Sequence, residues 1–171
     1  MTMIDPAIVP QRTLYTGAKM PAVGMGTFGS DHADADAVSA SVAGALRVGY
    51  RSFDCAACYG NEDMIGKIFA DAFAEGIVKR EELFIASKVW NDMHGDGDVL
   101  IACAKTLKDL KLDYLDMYYV HWPSPNYHAP HCDVDSRNPD SKPFTVERFY
   151  ENLAPDGAPG RYGSDETYRY V

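Results

Sequence analysis

The stretch Leu83-Phe84-Ile85-Ala86-Ser87-Lys88-Val89 decides the fold. It is short, nearly continuous in apolar residues, and lacks the polar alternation of a strand that is wet on one face. Such a run reads as a strand of a parallel sheet covered by helices. The same kind of segment occurs at Tyr50 to Cys55 and Leu115 to His121, with a glycine-rich candidate at Val23 to Phe28. Helical periodicity fills the gaps between them. Val38, Val42, Ala45 and Leu46 recur at helical spacing between Asp34 and Val48, and Gly49 follows as a C-terminal stop. Asn61 is the expected N-cap of a second helix, with Glu62 and Asp63 in its first turn. Met64, Ile65, Ile68, Phe69, Ala72 and Phe73 form its apolar face, and Gly76 ends it. A third helix opens at Asp98, with Val99, Cys103, Leu107 and Leu110 on one face. Ahead of all this, the turn signal Thr16-Gly17-Ala18-Lys19 predicts a small β-hairpin within Arg12 to Gly24.

Strand and helix therefore alternate, which gives an α/β fold of parallel βα units. Right-handed crossovers build either an open doubly wound sheet or part of a (β/α)₈ barrel, and the pattern alone fits both. Residues 1–149 read as one domain, in which 123–149 form a long loop rich in Pro, Asn, Asp and Ser. Residues 150–171 have no sustained period and few aliphatic residues, and read as a disordered tail.

The 171 residues suffice for one real core, and 46% hydrophobic with 24% charged residues is an ordinary globular composition. A net charge of -9 argues against nucleic acid, whose phosphates demand a Lys/Arg surplus. No apolar run reaches the ~18–20 residues of a membrane span. Met1 to Arg12 shows neither the basic nor the apolar region of a secretory signal. The four cysteines then read as reduced thiols, and the expected location is the cytoplasm.

Ionisable residues sit where strands end: Asp54, Lys88 and His121 close three successive strands, and Tyr59 follows Asp54 on the loop before the second helix. Ligands of parallel α/β folds bind at the carboxyl ends of strands, so these side chains would converge on one mouth. Taken singly, each has a plainer role: a turn carboxylate, a half-buried aromatic, a lysine reaching water, a histidine packed on Trp122. Their joint placement favours chemistry. Cys55-Ala56-Ala57-Cys58 is a CxxC, but a redox pair should open a helix, and here it ends a strand. Zinc held by Cys55, Cys58, His131 and Cys132 would lack a second well-spaced pair. No G-x-G-x-x-G fingerprint follows a strand, which disfavours a Rossmann site.

Four stretches in register resemble the aldo-keto reductase superfamily. They are Gly24-Met25-Gly26-Thr27-Phe28; Phe53-Asp54 with Tyr59-Gly60-Asn61-Glu62; Leu83 through Trp90; and Leu115-Asp116 through His121-Trp122-Pro123. The likeness runs from about Arg12 to Phe149. It implies a (β/α)₈ barrel, and reduction of a small aldehyde or ketone by NADPH, with NADH also admitted, and without a metal. It assigns Tyr59 as general acid, Lys88 and Asp54 as its modulators and His121 as a polarising group. Gly26, Thr27 and Phe28, with Asp54, would line the cofactor's nicotinamide end; Phe28, Trp90 and Trp122 would line the substrate pocket. Where the family often carries Trp or Tyr, this chain has Phe28.

The physics of such a site is specific. A free phenol has a pKa near ~10, and a cation about 4 Å away stabilises the phenolate by up to ~4 kcal/mol at an effective dielectric near ~20. Lys88 is expected to act in this way on Tyr59, held by Asp54. Tyr59 and His121 would donate to the oxygen on which charge grows. A complete barrel takes ~250 residues, so the expectation is a barrel truncated to about its first four strands. The alternative function is then an inactive half-barrel, or a module that pairs with another chain through unpaired strand edges.

Overall fold

In a computed structural model, which describes residues 4–29, 32–93 and 97–122, strands and helices alternate in the expected order. The hairpin comes first, β1 (Gln11–Thr13) antiparallel to β2 (Lys19–Pro21), turning through Gly17 at φ 87. Four parallel strands follow: β3 (Met25–Gly26), β4 (Ser52–Asp54), β5 (Phe84–Val89) and β6 (Met117–Val120). Between them lie α1 (Ala35–Val48), α2 (Glu62–Ala74) and α3 (Asp98–Leu110). The long loop at 123–149, the tail at 150–171 and the pair His131 and Cys132 lie outside the described residues.

Strand order decides between the two architectures that the pattern leaves open. The sheet runs β3-β4-β5-β6, in chain order. Right-handed crossovers that always step the same way put every helix on one face, whereas a doubly wound sheet must reverse. These are barrel-type βα units. Among the described residues, β3 and β6 have no further strand beside them.

Local chemistry sets the helix ends. Asp34 caps α1 by accepting from the Ala37 N–H at 2.8 Å, and Gly49 ends it at φ 111. Gly49 is doubly constrained, because a Cβ there would come within 2.4 Å of the Ile4 carbonyl oxygen. That segment, which had no expected structure, forms a 3₁₀ turn at Pro6–Ile8 and bonds Val48 through the Ile4 N–H. Asn61 is the N-cap residue of α2 as expected, but its side chain makes no capping bond. Asn61 is buried, and its side-chain amide donates instead to the Thr27 carbonyl at 2.8 Å, which needs a donor away from water. Glu62 and Asp63 remain in the first turn of α2 as the favourable charges.

The core lies between the sheet and the helices. Phe53 and Ile85 from the strands meet Val42, Leu46, Ile65, Phe69 and Leu110 from the helices, all almost fully buried. Phe53 and Phe69 pack edge to face at 5.4 Å. At the entrance of β5 and β6, Arg80 pairs with Asp116 at 2.8 Å and lies over the Tyr114 ring. Asp116 also accepts from the Ile85 N–H, which locks the two strands in register.

α2 and α3 approach closely at Gly66, where a Cβ would fall 2.2 Å from the Asp109 carbonyl oxygen and 2.6 Å from the Leu110 carbonyl carbon. Backbone cannot yield as a flexible side chain can. Gly66→Ala should therefore lower unfolding free energy by about 1–3 kcal/mol, read as a fall in the urea midpoint. An unchanged midpoint would show that the two helices do not pack this closely.

Candidate active site

The register of the sheet builds the site. Asp54 of β4 lies beside Ala86 of β5, and Lys88, two residues on, lies beside Tyr119 of β6. Side chains two apart share a face of a strand. Asp54, Lys88, Tyr119 and His121 are thus delivered to one face, while Phe53, Ile85 and Ser87 go to the helix side.

The Lys88 ammonium donates to Asp54 Oδ1 at 2.7 Å and to the Cys55 carbonyl at 2.6 Å. The lysine side chain is 7% exposed and the aspartate 47%, so the cation is buried and its partner faces outward. The same ammonium sits over the Tyr59 ring, 5.1 Å from its centroid. Tyr59 is placed by a 3₁₀ turn, Ala57–Tyr59, which ends at Gly60 in left-handed backbone. Its ring meets the Phe28 ring at 5.0 Å and the His121 ring at 5.7 Å, edge on. Behind His121 stands Trp90 at 5.1 Å, itself against Trp122 at 5.6 Å.

Most of the residues expected at the mouth are brought together. Phe28, 65% exposed, and the partly exposed Trp122 offer aromatic surface, whereas Trp90 is buried and supports His121. Gly26 adjoins Asp54 in the sheet, with open space where a side chain would project. Thr27 is not brought to the surface. It is fully buried, its hydroxyl donates to the Asp54 carbonyl and its own carbonyl accepts from Asn61, so it braces Asp54 from below.

The electrostatics corrects one expectation. Lys88 was expected to draw the Tyr59 phenol down, but burial, and then the Asp54 charge, push it up to about 12. The ammonium is engaged with Asp54 and lies over the ring face. Burial, and then Lys88, push the His121 imidazole below its usual value, so it is neutral at neutral pH.

Two partners were missed in the sequence. Tyr119 donates from its hydroxyl to Asp54 Oδ1 at 2.8 Å. Its position two residues before His121 was the available signal. The Cys58 sulfur lies 3.5 Å from His121 Nδ1. Cys55 and Cys58 are both free, Cys55 is fully buried, and burial pushes both thiols up to about 12, unlike a redox pair. Among the described residues, no three His, Cys, Asp or Glu side chains gather in a way that could hold a metal, and no helix is long and apolar enough to cross a membrane.

Comparison with known proteins gives the family. The model of the Aldo/keto reductase family matches residues 22–158. The chain belongs to the aldo/keto reductase family. An aldo/keto reductase of Synechocystis is 52% identical over 110 residues, covering 64% of this chain and 33% of that protein. An NADP-dependent D-sorbitol-6-phosphate dehydrogenase of Malus domestica is 45% identical over 116 residues, covering 68% and 36%. A crystal structure of a Bombyx mori aldo-keto reductase in complex with NADP superposes with TM-score 0.65 at 40% identity, covering 68% of this chain and 39% of that one. The chain spans about a third of the length of the curated relatives it matches.

The neighbours of His121 give a signed prediction for this aldo/keto reductase chain. Its imidazole, followed by NMR and assigned by loss of the signal in His121→Gln, should titrate below 6.5. Lys88→Met removes a repelling charge and should move the midpoint up, whereas Asp54→Asn removes an attracting one and should move it down. Because the folded form binds fewer protons than the unfolded chain, this histidine's share of stability falls as pH drops below 6.5. A midpoint at or above 6.5 would contradict the burial argument.

Proposed function

We propose that this mouth is the proton-donating part of a carbonyl-reducing site, where a small aldehyde or ketone becomes an alcohol with NADPH as reductant. One observation carries the reading: Tyr59, Lys88, Asp54 and His121 meet at the strand ends, with the buried ammonium lying over the phenol ring. Family membership supports it, as do the printed NADP dependence of the Malus domestica relative and the NADP in the Bombyx mori structure.

The residues present suit the nicotinamide end of such a cofactor. Phe28 gives a flat exposed ring, Gly26 leaves its side open, and the outward part of Asp54 offers an acceptor. Bound there, the cofactor supplies hydride to the carbonyl carbon. The chain's own groups handle the proton. As charge grows on the carbonyl oxygen, Tyr59 hands over its phenolic proton. A phenol held up near 12 still suffices, because an alkoxide is a much stronger base. Lys88 stabilises the phenolate left behind, and solvent restores the proton. His121, kept neutral, retains one N–H to donate to the same oxygen. The free thiols Cys55, Cys58 and Cys103 suit a reducing cytoplasm, the location we assign.

A second reading rests on β3 and β6, which among the described residues have no further strand beside them. It treats residues 1–149 as a partial barrel that does not turn over alone and pairs with another chain. Unpaired parallel edges are templates for added strands. Size exclusion separates the cases: a dimer supports pairing, and a stable monomer opposes it.

For the reductase reading, Tyr59→Phe should lower carbonyl reduction by ~10²-fold or more, while the NADPH Kd from fluorescence titration stays within about twofold of the parent chain's. Retained turnover would remove Tyr59 from the acid's role. No saturable NADPH signal from the parent chain would remove the reading itself.

A further inference from the structure

We infer that Cys58 is a positioning residue: its thiol donates to His121 Nδ1 and so fixes the imidazole as the tautomer with its proton on Nε2. The consequence for turnover rests on the carbonyl-reducing reading above; the tautomer itself does not.

The geometry starts from the 3₁₀ turn that sets Tyr59, because Cys58 is the residue before the proposed acid. Its sulfur is 3.5 Å from His121 Nδ1, within the range of a sulfur hydrogen bond. Among the described residues, the ring of His121 has no other hydrogen-bond partner; it is otherwise held by the rings of Tyr59, Trp90 and Trp122. In a neutral imidazole one nitrogen donates and the other accepts, and the bond made by one sets the role of the other. Two arrangements fit the distance: S–H to a bare Nδ1, or Nδ1–H to sulfur. Sulfur is a weak acceptor and an imidazole lone pair a strong one, so the first prevails. Burial supports it by keeping both partners neutral, with the thiol pushed up to about 12 and the histidine held down.

Nε2 then carries the proton and is the nitrogen left for a ligand. A carbonyl oxygen only accepts, so this tautomer can bind it. The other tautomer would set a lone pair against an oxygen gaining negative charge. Cys58 thereby links the two donors, fixing the proton of His121 from the turn that sets Tyr59.

The test is the tautomer itself, measured on the full chain without cofactor. Long-range ¹H–¹⁵N correlation of the ¹⁵N-labelled protein at pH 8 should show His121 protonated at Nε2 and bare at Nδ1. In Cys58→Ala the Nδ1–H form should rise several-fold; Cys58→Ser, which keeps a donor, should restore the parent ratio. Cys58→Val fills the space without a donor and should show the same rise, which decides the matter if alanine compromises folding. A parent His121 protonated at Nδ1, or a ratio unchanged in both donor-free variants, overturns the inference. In turnover assays Cys58→Ala should lower kcat about tenfold, roughly one lost hydrogen bond, with Cys58→Ser close to the parent. If the parent chain does not turn over, the carbonyl-reducing reading fails, and the tautomer ratio still decides the role of Cys58.

Discussion

The rest of the site depends on burying one ammonium group. Lys88 projects from a strand that is buried along its whole length, and an unpaired charge there would cost several kcal/mol. Asp54 and the Cys55 carbonyl meet that demand together. They can do so because β4 and β5 are in the register that sets Asp54 beside Ala86, one pleat short of Lys88. A slip of one residue would send Lys88 into the apolar layer under the helices. The tie between Asp116 and the Ile85 N–H at the other end of the strand therefore matters to chemistry that it never touches.

β5 shows how little sequence distance separates structure from chemistry. Ser87 and Lys88 are neighbours, yet each engages a different carboxylate on an opposite face. Lys88 takes Asp54, at the open mouth. Ser87 donates to Glu62 at 2.6 Å, and Thr106 of α3 donates to the other oxygen of Glu62 at 3.0 Å. Burial pushes the Glu62 carboxyl up, offset in part by these two hydroxyls, and the result ties α2, α3 and β5 together. Asp54 stays partly wet and available. Two acids thus do different work because one is enclosed by helices and the other ends a strand.

What the sequence made legible follows from periodicity. Apolar runs that end in Asp54, Lys88 and His121 carry their own positional meaning, because parallel strands present their carboxyl ends together. The choice between doubly wound sheet and barrel was not legible in periodicity and came only from the family resemblance, since strand order is a long-range property absent from any local window. Tyr119 drew no reading from the sequence; only the register beside Lys88 gives its hydroxyl Asp54 as a partner. Cys58 was read within a CxxC, a pattern that drew attention to Cys55 and away from a histidine 63 residues later. Asn61 does stand at the N-cap position, as local rules favour, but its side chain turns its amide N–H to the buried Thr27 carbonyl and does not offer its oxygen to the helix. The Tyr59 phenol moved opposite to expectation because burial raises it, and because a charge engaged by a carboxylate carries that carboxylate's field with it.

That last point sets the character of the mouth. Around a single ion pair, the neighbouring groups are all driven to their neutral forms. Burial raises Tyr59, Cys58 and Tyr119, the last further through its bond to Asp54, and burial and Lys88 lower His121. Each neutral form still carries one proton on a heteroatom, whereas a thiolate, a phenolate or a second cation would bring free charge. A surface made of neutral donors around a compensated ion pair repels neither an uncharged carbonyl before reaction nor the oxygen that becomes anionic during it. Under the proposed function it also leaves Lys88 with one new charge to stabilise, the phenolate formed when Tyr59 gives up its proton. Neutral donors near one caged cation suit the proton donation to a carbonyl proposed for this mouth, and the register of β4, β5 and β6 brings Asp54, Lys88 and Tyr119 together.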